Sequence, residues 1–265
     1  MNAVLALKLV VVPALILLVT LAGRRWGPAV AGWLSAFPVV AGPILWFIAL
    51  EHGPVFAAQA AVGTLSAVLA ILAYGLAYAW AATRYPWPLS LPLAYVGYTA
   101  AVVVLNLWNA TLLFAGIAVL AGLWLAPRLY PALPATAKAP SKPANDMLLR
   151  MSLGALLVLL VTHFAASLGP GLSGVLAMFP VMGTVLVLFT HRAAGAAAAV
   201  QLLRGMVLGF YSFSTFCAVL AWALPVAGPG LAFMLALVAA GTVQVLSRFW
   251  LRRHGMVPAQ AGTLK

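Results

Sequence analysis

The sequence predicts an all-α polytopic membrane protein: about nine transmembrane helices, built as two inverted four-helix repeats joined by a linking helix. Three observations predict it. Of 265 residues, 66% are apolar and only 6% are charged. A water-facing domain carries far more charge. Apolar runs of about 20 residues recur along the chain, each enough to cross a hydrocarbon core of roughly 30 Å. The third observation is a stretch that occurs twice. Gly27-Pro28, Gly32, Leu34 and Phe37-Pro38-Val39 return as Gly169-Pro170, Gly174, Leu176 and Phe179-Pro180-Val181, at the one offset of 142 that separates Pro38 from Pro180.

The elements follow in order. Residues 4–22 form the first run, closed by Gly23-Arg24-Arg25. It has no small-residue cleavage site after a short apolar core, so it reads as a retained helix and not a signal peptide. The second run, 28–50, is interrupted by Pro38 and Pro43 and closed by Glu51-His52-Gly53-Pro54. The third, 55–82, is closed by Arg84, Pro86 and Pro88. Residues 89–126 would make a single helix of about 57 Å, nearly twice the core thickness. The stretch therefore divides at Asn106-Leu107-Trp108-Asn109. A proline-rich hydrophilic linker follows, and then the runs 148–166, 171–191, 196–224 and 230–250. The expected organisation is a first repeat over 1–107, a linking helix over 108–127 and a cytoplasmic linker over 128–147. A second repeat over 148–254 and a tail over 255–265 complete it.

Charge placement supports nine spans. With that count, Arg24, Arg25, Arg84, Arg128, Lys138, Lys142, Arg150, Arg192, Arg248, Arg252, Arg253 and Lys265 gather on one side, and Lys8 lies alone on the other. The positive-inside rule makes the basic side cytoplasmic, with the N-terminus outside and the C-terminus inside. A single span over 89–126 would divide the basic loops between both sides. The net charge of +12 therefore reads as orientation, not nucleic-acid binding. Nucleic acid would need a basic soluble face. Aromatic residues near span ends, among them Trp80, Tyr85, Trp87, Trp124 and Trp222, read as an interfacial belt. The expected partner is the lipid bilayer, with a small-molecule substrate and a homodimer as further candidates.

The offset extends beyond the proline motif. Lys8 matches Arg150, Thr20 matches Thr162, Gln59 matches Gln201, Gly63 matches Gly205 and Trp80 matches Trp222. Chance supplies Ala and Leu matches between such helices, but rarely Gln, Trp, Gly-Pro and Phe-Pro together. Five spans separate equivalent positions, so the halves are expected to have opposite orientations, as in many secondary transporters. Ala31-Gly32-Trp33-Leu34-Ser35-Ala36-Phe37-Pro38, followed by Glu51-His52-Gly53, resembles the GlpM family of small bacterial inner-membrane proteins. The resemblance covers the first half directly. The second half matches only at Gly174 and Phe179-Pro180, with Ala193 where Glu51 would stand. It implies a doubled, fused version of a four-span unit in a bacterial inner membrane, and little chemistry.

Candidate site residues follow from depth. Pro38 lies about 15 Å into its span, near the bilayer centre. Proline donates no N–H and displaces the carbonyl four residues earlier. Leu34 and Leu176 are therefore expected to have free carbonyls, and Val39 likewise because of Pro43. Such carbonyls need partners in lipid, and at helix breaks they coordinate substrates or ions. The candidate substrate site is Leu34, Ser35, Pro38, Val39, Gln59, Leu176, Pro180, Val181, Thr184, Gln201 and Arg204. Ser35 and Thr184 can equally bond their own helices. Arg204 is either an anion-binding cation or a side chain that snorkels to the headgroups. Glu51 and His163 are the candidate proton-coupling residues, and Tyr74, Tyr78, Tyr95, Tyr98 and Tyr211 lie deep enough to line a cavity.

Enzyme signatures are missing: no paired intramembrane carboxylate, no Gly-x-Ser-x-Gly elbow, no Walker loop. Cys217 is the only cysteine, so neither an intrachain disulfide nor a thiolate metal cluster can form. No cofactor or metal is expected. The function expected is a permease or permease subunit working by alternating access. Its rival is a non-transporting scaffold for envelope or polysaccharide assembly.

Overall fold

The computed structural model describes residues 3–107, 111–132, 146–167 and 179–253, and these are helical almost throughout. The helices are α1 (Ala3–Trp26), α2 (Pro28–Ser35), α3 (Ala41–His52), α4 (Pro54–Ala81), α5 (Trp87–Asn106), α6 (Leu112–Leu129), α7 (Met147–Ser167) and α8 (Val181–Arg253). Five of the described helices are long and apolar enough to cross a membrane. Large apolar side chains face outward along them, such as Val96 and Val104 on α5, Phe114 and Ile117 on α6, and Val238 on α8. The protein is an α-helical membrane protein.

Glycine corners divide the chain. Gly53, at φ 86° and ψ 166°, ends α3, and Pro54 opens α4 without a loop. That backbone region excludes side chains with a Cβ, and the fixed φ of proline suits a first helical position. The element α8 contains two such corners, at Gly195 (φ 85°, ψ 176°) and Gly228 (φ 72°, ψ 166°). We call its three segments α8a (181–194), α8b (196–227) and α8c (229–253). Gly53 and Gly195 stand at the repeat offset. The long stretch 89–126 divides as the sequence predicts, α5 ending at Asn106 and α6 beginning at Leu112.

The second run is a broken helix. Residues 36–40 form a turn between α2 and α3. Pro38 causes the break, whereas Pro43 sits in the first turn of α3, where a missing N–H costs nothing. The same turn recurs before α8a. Val39 N–H donates to Phe37 O and Val181 N–H to Phe179 O, both at 2.8 Å. Gly42 N–H donates to Pro38 O at 2.9 Å and Thr184 N–H to Pro180 O at 2.8 Å.

Packing is closest where α2 crosses α8b. A Cβ added to Gly205 would fall on the backbone of Ala29, one on Gly209 on the carbonyl of Trp33, and one on Gly32 on the carbonyl of Leu202. The two backbones touch directly. In lipid, where apolar burial gives no net drive, such backbone approach is what holds helices together. Two polar bonds fix the register: Trp33 Nε1–H donates to Ser247 Oγ at 2.8 Å, and Gln244 Nε2–H to Trp33 O at 3.1 Å.

Helices α1 and α7 pack antiparallel. Arg24 near the end of α1 reaches Asp146 just before α7, at 3.3 Å. Farther along, a Cβ on Gly154 would strike Ile16 and approach Val12. Asp146 also holds Arg150 at 2.9 Å, and the Arg150 guanidinium lies 4.7 Å from the Phe189 ring centre. The carboxylate sits at the positive end of α7, where the helix dipole favours it.

This geometry makes a prediction. Gly205→Ala should lower stability by about 1–3 kcal/mol, because a rigid backbone neighbour leaves no room for the methyl group. Among the described residues nothing lies within 4 Å of the Gly116 Cβ position, and Gly116→Ala should be neutral or stabilising by about 0.5–1 kcal/mol. Thermal unfolding of the two detergent-solubilised variants, followed by the monodisperse fraction, compares them.

Candidate binding cavity

A cavity of about 980 Å³ lies inside the bundle. Both Phe-Pro turns border it. Phe37 and Val40 come from one, Phe179, Pro180 and Met182 from the other. Phe210 and Met206 of α8b lie between them, and the face of α4 that carries Gln59, Gly63 and Thr64 forms a long wall. The end of α5, with Asn106, completes the wall beside Thr111. Gln59, Gly63, Asn106 and Thr111 are exposed, so the cavity opens at that end. Among the described residues, its polar lining is amide and hydroxyl: Ser35, Gln59, Thr64, Ser66, Asn106 and Thr111. No described lining residue carries a charge.

The expected site residues divide. Ser35, Gln59, Pro180 and Val181 line the cavity. Ser35 Oγ–H donates to Gly32 O at 2.7 Å, a bond within its own helix. Leu34 is half-buried, and its carbonyl is not free, as the proline argument predicted, because the turn brings Phe37 N–H onto it at 3.3 Å. The break tightens the helix end and satisfies the acceptor locally. Pro38 is buried beside the cavity and not on its described wall, and Val39 faces outward at 37% exposure. Leu176 lies outside the described residues.

Thr184 is buried away from the cavity wall. Its hydroxyl shares hydrogen bonds with Tyr95 OH at 2.7 Å and Tyr74 OH at 3.4 Å. Phe179 stacks on Tyr95 with ring centres 5.0 Å apart. The second turn is thereby pinned to α4 and α5. One α-helical turn beyond Tyr74, Tyr78 OH pairs with His191 Nδ1 at 2.9 Å. Thus Tyr74 and Tyr78 brace the bundle and do not line the cavity.

Arg204 also does structural work. Its guanidinium donates to the carbonyls of Pro131 at 3.1 Å and Tyr130 at 3.4 Å, tying α8b to the end of α6. Burial raises the pKa of the Tyr130 phenol, while the Arg204 charge pulls it down. Neither Arg204 nor the half-buried Gln201 is on the described wall. Glu51 at the end of α3 and His163 on α7 are exposed and also off it.

Sequence reasoning passed over Phe37, Phe179, Phe210, Phe213 and Asn106 as wall residues. Phe37 and Phe179 lay within the repeated motif, and their partnership with each proline was the available signal. Phe210 and Phe213 carried none, being two aromatic residues in a uniformly apolar run.

Thr184→Val should leave the buried Tyr74 phenol and the half-buried Tyr95 phenol short of a partner, at a cost of about 1–3 kcal/mol. Thr184→Ser should keep most of the stability. Apparent melting temperatures of the two variants test this.

No protein-family model, curated protein or solved structure matches this chain.

Proposed function

We propose that the protein is a permease, or a permease subunit, that moves a small uncharged molecule by alternating access. One observation carries this reading: two Phe-Pro turns with the same bonds after the proline border one cavity. Broken helices near the midplane, paired across a repeat interface, are where transporters bind their substrates. The substrate site is the inner end of the cavity, between Phe37 and Val40 on one turn and Phe179 and Met182 on the other. Hydroxyls, amides and aromatic faces suit a neutral molecule. A charged one would shed its water against a wall whose described residues offer no countercharge. A scaffold would be expected to fill its centre, so the cavity favours transport.

The proposal includes nine spans and two inverted repeats, a doubled GlpM-type unit in a bacterial inner membrane. Reciprocal contacts support the repeat. Gly42 approaches Phe216, and Thr184 meets Tyr74. Each residue of the second pair stands at the repeat offset from one of the first. Such exchange of partners is the signature of a two-fold relation. The antiparallel packing of α1 on α7 supports inversion, and the basic residues support an external N-terminus and cytoplasmic C-terminus.

Two measurements test the proposal. In a Cys217→Ser background, His52→Cys and Arg192→Cys sit at equivalent corners and are both exposed. An impermeant maleimide should label His52→Cys from outside and Arg192→Cys only from the cytoplasmic side. Labelling of both from one side would remove the inversion. For transport, proteoliposomes loaded with a mixture of neutral isotope-labelled metabolites should lose a subset faster than protein-free vesicles. Pro38→Ala and Pro180→Ala should each slow that loss about tenfold while preserving the folded state. Equal loss with and without protein would remove the permease reading.

A further inference from the structure

We propose that His191 is a proton-binding site, and that its bond to Tyr78 is a latch holding α8a, and with it the second Phe-Pro turn, against α4. A proton bound at His191 opens the latch. The proton thereby regulates the site of the permease proposed above, and the inference rests on that reading for this consequence alone.

Two polar contacts fasten α8a. Near its start, the Thr184 hydroxyl is bonded to Tyr95 OH at 2.7 Å and Tyr74 OH at 3.4 Å. Seven residues on, or about 10 Å along the helix, His191 Nδ1 is bonded to Tyr78 OH at 2.9 Å. The two rings meet edge to face, with centres 5.9 Å apart. The turn with Phe179 and Pro180 leads directly into α8a. Tyr78 is fully buried and His191 half-buried, so the imidazole can exchange a proton with water while the phenol depends on its protein partner.

The counterpart contact has nothing to titrate. At the repeat offset, Thr184, His191, Tyr74 and Tyr78 correspond to Gly42, Ala49, Phe216 and Leu220. Gly42 lies against Phe216, and Ala49, Phe216 and Leu220 share one apolar cluster. Packing alone is therefore enough to hold a helix in this position. The polar residues add something packing does not supply, a response to protons in one of the two contacts.

Charge decides the direction of that response. With the neutral ring's hydrogen on Nε2, Tyr78 O–H donates to Nδ1. A proton taken from water puts hydrogen on both nitrogens, so the Tyr78 hydrogen loses its acceptor. The titratable and charged groups around this contact are phenols and cations: Tyr74 and Tyr78 of α4, Tyr95 and Tyr98 of α5, Arg150 of α7 over the Phe189 ring, and Arg192 of α8a itself. The chain has two carboxylates. Asp146 is held by Arg24 and Arg150, and Glu51 is exposed at the end of α3. An imidazolium here has no countercharge, and a packed contact that loses its bond and gains a charge is a pH switch.

The test uses the full chain in detergent and needs no substrate. Melting temperatures are compared at about pH 8 and about pH 5, on either side of the histidine range. Tyr78→Phe should melt about 2–4 °C below wild type at the higher pH and level with it at the lower, where the latch is already open. His191→Gln keeps a neutral acceptor. It should stay near wild type at the higher pH and melt about 2–4 °C above it at the lower. A permanent structural bond would give Tyr78→Phe the same offset at both pH values, and that result overturns the proposal. So does a His191→Gln curve that follows wild type down. Should the variants fail to fold, hydrogen exchange in the wild type decides. Corrected for the chemical effect of pH, exchange over residues 181–192 should rise several-fold on acidification relative to the counterpart residues 39–50. An equal change in both segments overturns the latch. None of these readouts involves transport, so a failed flux assay leaves the latch standing, and a failed latch leaves the flux result standing.

Discussion

The crossing of α2 over α8b sets the geometry of everything near it. Three glycines let two backbones meet, and no side chain can be added there without moving a helix. The crossing holds α2 along its length, from Ala29 to Trp33, and the Phe-Pro turn follows directly. The turn therefore emerges at a fixed depth and angle. Trp33 adds direction: its indole N–H and its carbonyl are both held by α8c, so the short helix cannot rotate. A helix of eight residues is unstable alone. Its order comes from this seat.

The Phe-Pro turn illustrates how a broken helix avoids a penalty in lipid. A buried unpaired carbonyl would cost several kcal/mol. At Leu34 the chain tightens, and Phe37 N–H supplies the partner. The turn then re-forms helical bonding through Pro38 O and Gly42 N–H. The proline argument locates the break correctly and errs on its consequence, because it treats the remaining helix as rigid. What the break contributes to the cavity is shape and two phenylalanine rings, more than free carbonyl groups.

Much of the fold was legible. Gly-Pro corners, the Asn106 boundary and the duplicated motif are written in residues whose backbone preferences leave few alternatives. The site was only partly legible. Ser35, Gln59, Pro180 and Val181 are on the wall, but Arg204, Glu51 and His163 are not. An ionisable residue is costly in a membrane, and Arg204 meets that cost through backbone carbonyls at the end of α6. That partner is 73 positions away and leaves no local pattern. Thr184 reads in the sequence as a possible ligand, yet its hydroxyl is occupied by two tyrosines that periodicity alone does not bring together.

A two-fold axis leaves a specific trace where it passes between equivalent helices: a residue there meets its own counterpart. Gly154 lies against Val12, and these two stand at the repeat offset. Val12, Ile16 and Val158 share one apolar cluster, and Val158 is the counterpart of Ile16. The proposed axis therefore passes close to this crossing. Val12 and Val158 also line the cavity. Groups near an axis in the membrane plane keep their depth when the halves exchange, so under the proposed inversion Phe37 and Phe179 would reach the same level from opposite directions. The proposed axis would thus account for two turns 142 residues apart bordering a single space.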